Sequence, residues 1–434
     1  MSSPKRAPKR AIVIGAGLAG LAAAVDLAKA GTRVHLVEAA PRAGGRCRSY
    51  FDPAIGQTID NGNHFVFSGN QAVQRYLKTI GHANGAHLEG PAHADYAFHD
   101  LTDDHRWTLR VNDSPIPIWA FSPGRRAPGT TLADHLTLAK LILAKTGTLA
   151  DHLKTDGPFW HRVVDPMMLA VLNCAPAEGS ARLAGHFLRE SFARGGAQCR
   201  TLVASPTLEA VFVQPALDWL KLQGVTPRFG ARLRALHIAN NRIESLDFGD
   251  TKNGGAPEPV HDAEVILAVP PWVAESLIPT LTVPQKFCAI VNAHFAAPPP
   301  PGAPFITALL GATAQWVVAH ENRISVTVSG ADALIDTPRE EIAAQIWRDI
   351  CATYALGDAP MPAWQIVKEK RATFAATPEQ DARRPAQRTH LANLTLAGDW
   401  VQTNLPATIE GALRSGANAA QLALGRKPRW GRPA

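Results

Sequence analysis

Several common features are scarce in this chain of 434 residues. It has five cysteines, an odd number without regular spacing, which argues against a disulfide framework. No Cys–X–X–Cys pair or cysteine–histidine cluster indicates a metal site. No run reaches the ~20 apolar residues of a membrane-spanning helix. We therefore predict neither a disulfide-stapled protein nor a metalloprotein nor an integral membrane protein.

The chain is instead long, apolar and basic. Hydrophobic residues make up 46% of it, enough for a large core in about two to three domain-sized units. The net charge is +7, and cations cluster in 5–10 and 426–432. Such tails are either solubilising ends or segments that attract an anionic membrane. No recognition module accompanies the charge, so we predict no nucleic-acid partner.

The N-terminal region contains the glycine pattern of a dinucleotide-binding unit. An apolar strand over 11–14 leads into Gly15, Gly17 and Gly20, and we predict a helix over 18–30. Gly15 permits the tight turn, Gly17 lets the backbone approach a pyrophosphate, and Gly20 lets the helix pack closely on the sheet. The helix N-terminus then faces the phosphates.

The next segment indicates which dinucleotide is bound. A second strand ends at Glu38, whose carboxylate can accept hydrogen bonds from ribose hydroxyls and disfavours a 2′-phosphate. Directly after it, Gly44 and Gly45 free backbone N–H groups, and Arg46 brings a cationic fork to phosphate oxygens. NAD dehydrogenases do not need this second loop, so the pattern favours FAD.

A second cofactor signature lies near the C-terminus. An apolar strand over 394–397 ends in Gly398 and Asp399, and a small-residue helix follows 406–412. With the N-terminal motifs, this resembles the amine oxidase and phytoene desaturase superfamily of flavoproteins. No cysteine follows Gly398, so we expect FAD to be bound noncovalently.

Three further segments resemble the squalene-associated branch of this superfamily, the hydroxysqualene dehydroxylases of bacterial hopanoid biosynthesis. They are 60–65 (DNGNHF), 369–374 (EKRATF) and 405–412 (LPATIEGA). The resemblance spans nearly the whole chain. It implies an α/β fold in which a Rossmann-type FAD-binding domain carries an inserted α+β substrate domain. It also implies reductive removal of an allylic hydroxyl from a C30 polyprenoid, giving squalene.

The resemblance also implies cofactor contacts, position by position. Near the phosphates it places Gly15, Ala16, Gly17, Leu18, Ala19, Gly44, Gly45, Arg46, Gly398 and Asp399. Near the adenosine it places Glu38 and Leu233, the latter on a strand, and near the flavin ring it places Asn63, His64, Thr408 and Ile409. Ala39 and Pro270 are further cofactor-binding candidates. Thr408 and Ile409 begin a helix whose N-terminus stabilises the anionic reduced flavin.

Dehydroxylation needs an acid, because hydroxide leaves poorly, and it needs hydride from reduced FAD. The candidate acids are His64, Asp60 and Glu190. We favour His64, since the resemblance brings it to the flavin, although a structural histidine touching FAD is an equally good interpretation. Asp60 can instead cap a turn, and Glu190 can pair with Arg189 or Arg194.

Aromatic side chains suit a long apolar tunnel for a polyprenoid and can stabilise a cation, although core packing explains each one alone. The candidates are Phe65, Phe67, Phe187, Phe192, Phe295, Trp316 and Phe374. In the superfamily, a lysine often holds water near the flavin, and either Lys368 or Lys370 can match it. Strand alternation places both lysines on one face.

The FAD motifs must converge in space, so the substrate domain has to be inserted between them. We predict an FAD-binding domain from 1–66, 200–271 and 390–425, a substrate-binding domain from 67–199 and 272–389, and a basic tail over 426–434. Predicted helices include 72–80, 132–144 and 159–174, and predicted strands include 263–271, 316–319 and 324–328.

Two features bear on membranes. An apolar, cation-edged helix within 131–145 and Trp430 among the C-terminal cations suit contact with an anionic membrane, although a core helix explains 131–145 equally well. The basic N-terminus before 11–25 resembles a signal peptide, but its removal would destroy the cofactor site. We therefore expect a cytoplasmic protein, with peripheral contact at the inner face of the cytoplasmic membrane.

Other functions stay open. A carotenoid- or squalene-type desaturase would run the flavin oxidatively on a similar substrate. A flavin amine oxidase is disfavoured, because no tyrosine lies by the C-terminal motif, and complete FAD signatures argue against a prenyl-binding protein of the GDP-dissociation-inhibitor type. No second GxGxxG motif appears for NADPH, so reductant enters through the substrate pocket or comes from an electron-donor protein. An upstream squalene-pathway enzyme is another expected partner.

Overall fold

The computed structural model describes residues 10–81, 86–249 and 255–431. The strands are β1 (Arg10–Ile14), β2 (Arg33–Val37), β3 (Ser49–Asp52), β4 (Gln57–Asp60), β5 (Val66–Phe67), β6 (His87–Glu89), β7 (Ala94–Asp100), β8 (His105–Val111), β9 (Thr201–Ser205), β10 (Ala235–Ala239), β11 (Arg242–Asp247), β12 (Glu258–Pro259), β13 (Glu264–Leu267), β14 (Phe287–Phe295), β15 (Ile306–Leu310), β16 (Trp316–His320), β17 (Arg323–Ser329), β18 (Trp364–Phe374) and β19 (Leu394–Leu396).

The helices are α1 (Leu18–Lys29), α2 (Gln71–Ile80), α3 (Leu132–Leu136), α4 (Leu138–Leu143), α5 (Leu149–His152), α6 (Gly157–Phe159), α7 (Asp165–Leu172), α8 (Ala181–Glu190), α9 (Gly196–Cys199), α10 (Gln214–Leu222), α11 (Pro271–Leu277), α12 (Arg339–Tyr354), α13 (Pro378–Ala382) and α14 (Ile409–Ala423). Shorter 3₁₀ or π turns include Ile118–Phe121, Trp160–Val164 and Phe192–Arg194.

A four-stranded parallel sheet, in the order β19-β13-β1-β2, carries the N-terminal glycine turn. Its strands are short apolar runs because both faces of the sheet are covered. Helices α1 and α14 pack on one face so closely that a Cβ at Gly416 would lie 2.0 Å from the carbonyl oxygen of Ala19. The predicted α/β class is confirmed.

A larger mixed sheet, in the order β18-β14-β17-β16-β15-β7-β8, forms the second body of the fold. Strands β7 and β15 pair in parallel, and the other neighbours pair antiparallel. One face packs on α12. The other face contacts the segment 61–65 that leads out of the small sheet. The boundaries between domains stay a prediction.

The predicted helix over 132–144 is present but is interrupted at one residue, Thr137. Thr131 caps α3, with its hydroxyl and the Asp134 carboxylate each bonded to the other residue's backbone N–H. The helix ends near Thr137, whose hydroxyl donates back to the carbonyl oxygen of Asp134, and α4 then continues to Leu143. Side-chain bonds to the backbone thus interrupt an otherwise continuous apolar pattern.

Trp430 in the C-terminal tail packs against the protein, whereas the sequence predicted that it contacts a membrane. The Asn418 side chain donates to the Trp430 carbonyl oxygen at 2.8 Å and accepts from its backbone N–H at 3.2 Å. The indole packs against the core around α14, with the Arg414 guanidinium over its ring. The N-terminal cations before Arg10 and residues 432–434 lie outside the described residues.

Candidate active site

The glycine turn after β1 has the backbone shape that the motif predicts. Gly15 has φ +104°, and a Cβ there would lie 2.3 Å from the carbonyl oxygen of Ala268. A Cβ at Gly20 would lie 1.8 Å from the carbonyl oxygen of Gly15, so only glycine lets α1 sit this close to the strand. At Gly17 a Cβ would meet no atom within 4 Å, so the turn leaves open space at the N-terminus of α1.

A second glycine loop borders the same space. The Gly44 N–H donates to the carbonyl oxygen of Ala16 at 2.9 Å. A Cβ at Gly45 would come within 3.3 Å of the Gly17 Cα, and Gly44 and Gly45 both have positive φ. The two glycine loops therefore place bare backbone side by side at a helix N-terminus. This cradle fits a pyrophosphate, because backbone N–H groups and a helix dipole favour an anion there.

Glu38 joins the turn to the adenosine side of the site. Its carboxylate accepts hydrogen bonds from the backbone N–H groups of Ala16 (2.7 Å) and Ala40 (2.8 Å), while Ala39 between them is exposed. The carboxylate thus lies at the edge of the cradle. There it can also accept hydrogen bonds from ribose hydroxyls, as the motif predicts.

The structure does not place Leu233 on a strand. The backbone of Arg228 and Ala231 bonds to Leu36 and Glu38, so this segment extends the small sheet beside β2. The chain then leaves the sheet, Leu233 is buried in an irregular stretch, and β10 begins at Ala235. The backbone pairs with the end of β2 only as far as Ala231, so Leu233 lies beyond the paired residues.

Arg46 spans the two halves of the site. Its Nη2 lies 2.6 Å from Oδ1 of Asp399, and its Nη1 donates to the carbonyl oxygen of Ala372 at 2.6 Å. Although desolvation opposes the charge, the Asp399 carboxylate raises the pKa of Arg46. The Ala372 carbonyl reaches Arg46 at a bulge in β18, where the register against β14 shifts.

The C-terminal signature contributes a helix N-terminus. The Gly398 N–H donates to the Ser415 hydroxyl at 2.9 Å. Thr408 caps α14, its hydroxyl accepting from the Gly411 N–H at 3.0 Å, and Ile409 is the first helical residue. The positive end of this 15-residue helix suits negative charge. Pro270, by contrast, is an exposed residue before α11.

Arg384 organises the loop between Asp399 and α14, and no motif in the sequence indicates this role. It is buried, pairs with Asp381, and donates to the carbonyl oxygens of Asp399 and Leu405. It also donates to the Val401 carbonyl oxygen and the Thr403 hydroxyl and stacks over Phe374. One side chain thus fixes the course of a loop that borders the cofactor cradle.

Asn63 and His64 lie where the two bodies meet. Asn63 donates from its side chain to the Thr327 hydroxyl at 3.2 Å and from its backbone to Asn292 Oδ1 at 3.3 Å. Burial, followed by the nearby Arg46 charge, lowers the pKa of His64 to about 4. The imidazole is therefore neutral at pH 7. The structure brings His64 close to the Arg46–Asp399 pair.

Asp60 and Glu190, the other two candidate acids, make different contacts. Burial raises the pKa of Asp60 to about 6, and its Oδ1 accepts hydrogen bonds from the Ser49 hydroxyl and the Leu208 N–H. Glu190 forms a two-pronged ion pair with Arg414, so the prediction of pairing with Arg189 or Arg194 is wrong. Burial alone would raise the pKa of Glu190. The hydrogen bond and charge of Arg414 outweigh burial, so the pKa of Glu190 is lowered.

The lysines of β18 have other surroundings than predicted. Lys368 donates to the carbonyl oxygens of Ile335 (2.7 Å) and Thr337 (2.5 Å), and Lys370 is exposed at the bulge. The bulge breaks the alternation on which the prediction of a shared face depends.

Most of the predicted aromatic residues cluster. Phe67 contacts both Phe187 and Phe192, with ring centroids 5.4 and 6.2 Å apart, and Phe65 contacts Trp316 at 6.0 Å. Two of the predicted residues make other contacts. Phe295 lies on the opposite face of the large sheet against Trp347, and Phe374 lies under Arg384. Alternation alone could not tell on which face of a sheet covered on both sides each aromatic side chain lies.

Comparison with known proteins agrees with this geometry. The family model described as "Flavin containing amine oxidoreductase" matches residues 18–424. Cyclohexylamine oxidase from Brevibacterium oxydans has a similar fold, with a TM-score of 0.69 at 15% identity over 96% of this chain and 99% of that one. The chain belongs to the flavin-containing amine oxidoreductase family, and its cofactor is FAD.

Two curated relatives define a branch of that family. A protein from Rhodopseudomonas palustris is 49% identical over 95% of this chain and 97% of its own length. One from Sinorhizobium fredii is 48% identical over 96% of this chain and 99% of its own length. Both are named hydroxysqualene dehydroxylase.

Proposed function

We propose that this chain is an FAD-dependent hydroxysqualene dehydroxylase, which removes the allylic hydroxyl of hydroxysqualene and yields squalene for hopanoid biosynthesis. The observation that carries the proposal is the 49% identity to a relative of that name over almost the full length of both chains. Similarity over that length covers the substrate-binding segments as well as the FAD motifs.

Bound and reduced FAD supplies the hydride for this reaction. Gly17, Gly44 and Gly45 would hold its pyrophosphate on the bare backbone that borders the open space at α1, and Glu38, which binds the Ala16 N–H, would also hold its ribose. The N-terminus of α14 would stabilise negative charge on the flavin ring. The aromatic cluster around Phe65 and Phe67 excludes water from the site where the carbon–oxygen bond breaks.

His64 is the residue that we propose to donate a proton to the departing oxygen. It lies near Arg46 and Asp399, and a bound anionic cofactor adds negative charge that raises its pKa from about 4. Asp60 is the weaker candidate, because Ser49 and Leu208 already bind its Oδ1. Glu190 is the weakest, because Arg414 binds both of its carboxylate oxygens.

We further propose that electrons come indirectly from NADPH, through the substrate pocket or a donor protein, and that an upstream squalene-pathway enzyme delivers substrate. In the part of the chain that the structure describes, no helix has the length and apolarity to cross a bilayer. We propose a cytoplasmic enzyme in peripheral contact with the anionic inner face of the cytoplasmic membrane.

The deciding experiment is a single turnover under anaerobic conditions. Photoreduced enzyme is mixed with hydroxysqualene while flavin absorbance is followed and the product is identified by mass spectrometry. Squalene formed in step with flavin reoxidation supports the proposal. New double bonds introduced into squalene by the oxidised enzyme, without dehydroxylation by the reduced enzyme, would instead show a desaturase.

A further inference from the structure

Five large apolar side chains are exposed on two neighbouring segments of the fold. Ile116, Ile118 and Phe121 follow β8, and Leu136 and Leu143 belong to α3 and α4, each with 58–76% of its surface exposed. We call these five residues the apolar patch. The segments adjoin because the ring of Trp119 lies 5.2 Å from that of His135.

The backbone of the first segment is held in place rather than loose. The Asn112 side chain donates to the Ile116 carbonyl oxygen at 2.9 Å and accepts from the Trp119 N–H at 2.9 Å. Trp119 is buried, so its neighbours Ile118 and Phe121 are directed outward by a pinned turn. Their exposure is a property of the fold.

The chain around the apolar patch is strongly basic. Residues 105–145 contain six arginines or lysines and two aspartates, so this stretch carries more than half of the net charge of the protein. Arg110 and Arg126 line a surface cavity of about 470 Å³ beside Trp107, together with Arg106, whose guanidinium lies 3.8 Å from the Asp104 carboxylate. Of the aspartates, Asp134 accepts the Thr131 backbone N–H. The apolar patch thus has a cationic rim.

Packed aromatic side chains, which we call the aromatic path, connect the patch to the interior. The ring of His135 lies 4.9 Å from that of Phe159, and Phe159 joins the same cluster of side chains as Phe67 and Phe192. That cluster also includes Phe65, directly after His64. The patch therefore lies at the outer end of the aromatic cluster that leads to the proposed site.

We propose that the apolar patch and its cationic rim dock this protein on the surface of an anionic lipid bilayer. Apolar side chains that enter the acyl boundary and cations that pair with headgroup phosphates are the two signals that hold a protein on such a surface. The aromatic path then opens toward the acyl chains, so a polyprenoid substrate enters without crossing water. This last step rests on the proposed function, whereas the docking does not.

The docking is tested by sedimenting the FAD-loaded protein with vesicles of phosphatidylcholine, with or without phosphatidylglycerol. We expect binding that requires phosphatidylglycerol and weakens as NaCl rises, because salt screens the cationic rim. The double variant Ile118→Ser/Phe121→Ser should lose about tenfold or more in the partition coefficient. Leu222→Ser, which changes a side chain with 82% exposure on α10, is the matched control and should bind like the unaltered protein.

Two charge variants complete the set. Arg125→Gln/Arg126→Gln should lower binding to phosphatidylglycerol vesicles severalfold, and Lys221→Gln, at an exposed site on α10, should not. Absence of phosphatidylglycerol-dependent binding would overturn the proposal, as would equal losses in Leu222→Ser. A concentration-dependent dimer that disappears in Ile118→Ser/Phe121→Ser would also overturn it, since a second copy would then cover the patch.

Turnover separates this inference from the proposed function. With hydroxysqualene dispersed in detergent, the patch variant should retain activity within about twofold, and with hydroxysqualene embedded in vesicles it should lose about tenfold. Equal loss in both formats would overturn the entrance role. If the unaltered protein converts hydroxysqualene in neither format, the proposed function fails, and the vesicle-binding result alone still decides the docking.

Discussion

Arg46 and Asp399 are 353 positions apart in the chain, yet their side chains form an ion pair 2.6 Å long. The pair joins the second glycine loop to the loop before α14. The same guanidinium also holds the Ala372 carbonyl oxygen. Arg46 therefore positions three separate parts of the cofactor site at once.

Replacement of Arg46 by methionine should weaken FAD binding about tenfold to a hundredfold. The change removes two charge-assisted hydrogen bonds and leaves Asp399 without this cation. Fluorescence titration of apoprotein with FAD measures the effect. Arg42→Met, at an exposed position of the same loop, is the control, and equal affinities for the two variants would show that Arg46 has no special role.

Gly17→Val should yield protein without flavin. Its φ is −71° and a Cβ would meet no protein atom within 4 Å, so valine fits the fold but fills the space for the pyrophosphate. Gly124→Val, where a Cβ also meets nothing within 4 Å, should retain flavin and serves as the control. Stoichiometric flavin in folded Gly17→Val, measured by absorbance, would remove the assignment of the cradle.

Glu38→Ala should weaken FAD binding by roughly 1–3 kcal/mol, through lost charge-assisted hydrogen bonds. The carboxylate accepts from Ala16 and Ala40 and, we propose, from the ribose. Glu38→Gln keeps the shape of the side chain and one acceptor oxygen. In a calorimetric titration, its affinity for FAD should lie between those of Glu38→Ala and the unaltered protein. An unchanged dissociation constant in Glu38→Ala would place the ribose elsewhere.

His64→Ala should keep FAD and still accept electrons, yet lose roughly 10²–10⁴-fold in single-turnover dehydroxylation. Rapid mixing of the reduced variant with hydroxysqualene measures the rate. His237→Ala, at an exposed site on β10, is the control and should react normally. A near-normal rate in flavin-loaded His64→Ala would eliminate the proposed proton donor and leave a structural histidine.

Asp60→Asn should change how stability depends on pH. The pKa of Asp60 is about 6 in the fold and ~4 in the unfolded chain, so the native state binds the extra proton and stability falls as pH rises from 4 to 6. Asparagine keeps a side-chain oxygen that accepts from Ser49 and Leu208. It does not ionise, so it does not lose stability as pH rises. Between pH 4.5 and 7.5 the variant should gain on the order of 1–3 kcal/mol relative to the unaltered protein.

Urea unfolding at several pH values measures this change, with Asp262→Asn, an exposed carboxylate, as the control. Parallel pH profiles for Asp60→Asn and the unaltered protein would show that Asp60 titrates normally in the fold. Because the expected effect is confined to a pH window, it is distinguishable from a uniform loss of stability.

Features of the site that depend on local backbone shape were predictable from the sequence. Gly15 and Gly20 are glycines because of contacts within a few residues or with the adjacent strand, and a short motif records such constraints. The fold class followed from the same motifs. Their spacing required three distant segments of the chain to converge in space.

Arg384 and Arg414 were not predictable in the same way. Each is explained by its surroundings: Arg384 by the carbonyl oxygens of a loop, and Arg414 by Glu190, 224 positions away. Arginines also occur on surfaces, so only the folded environment distinguishes these two. The break in helix 132–144 and the bulge in β18 are likewise tertiary or side-chain effects that override a regular pattern.

The parallel sheet that carries the glycine turn has its outermost strand, β19, near the end of the chain. During synthesis, β1 and α1 therefore leave the ribosome long before β13, β19 and α14 can cover them. Arg46 has no Asp399 to meet until then. The protein can consequently retain FAD only after most of the chain has been synthesised. A chain that stops before residue 399 has only half of the cofactor site.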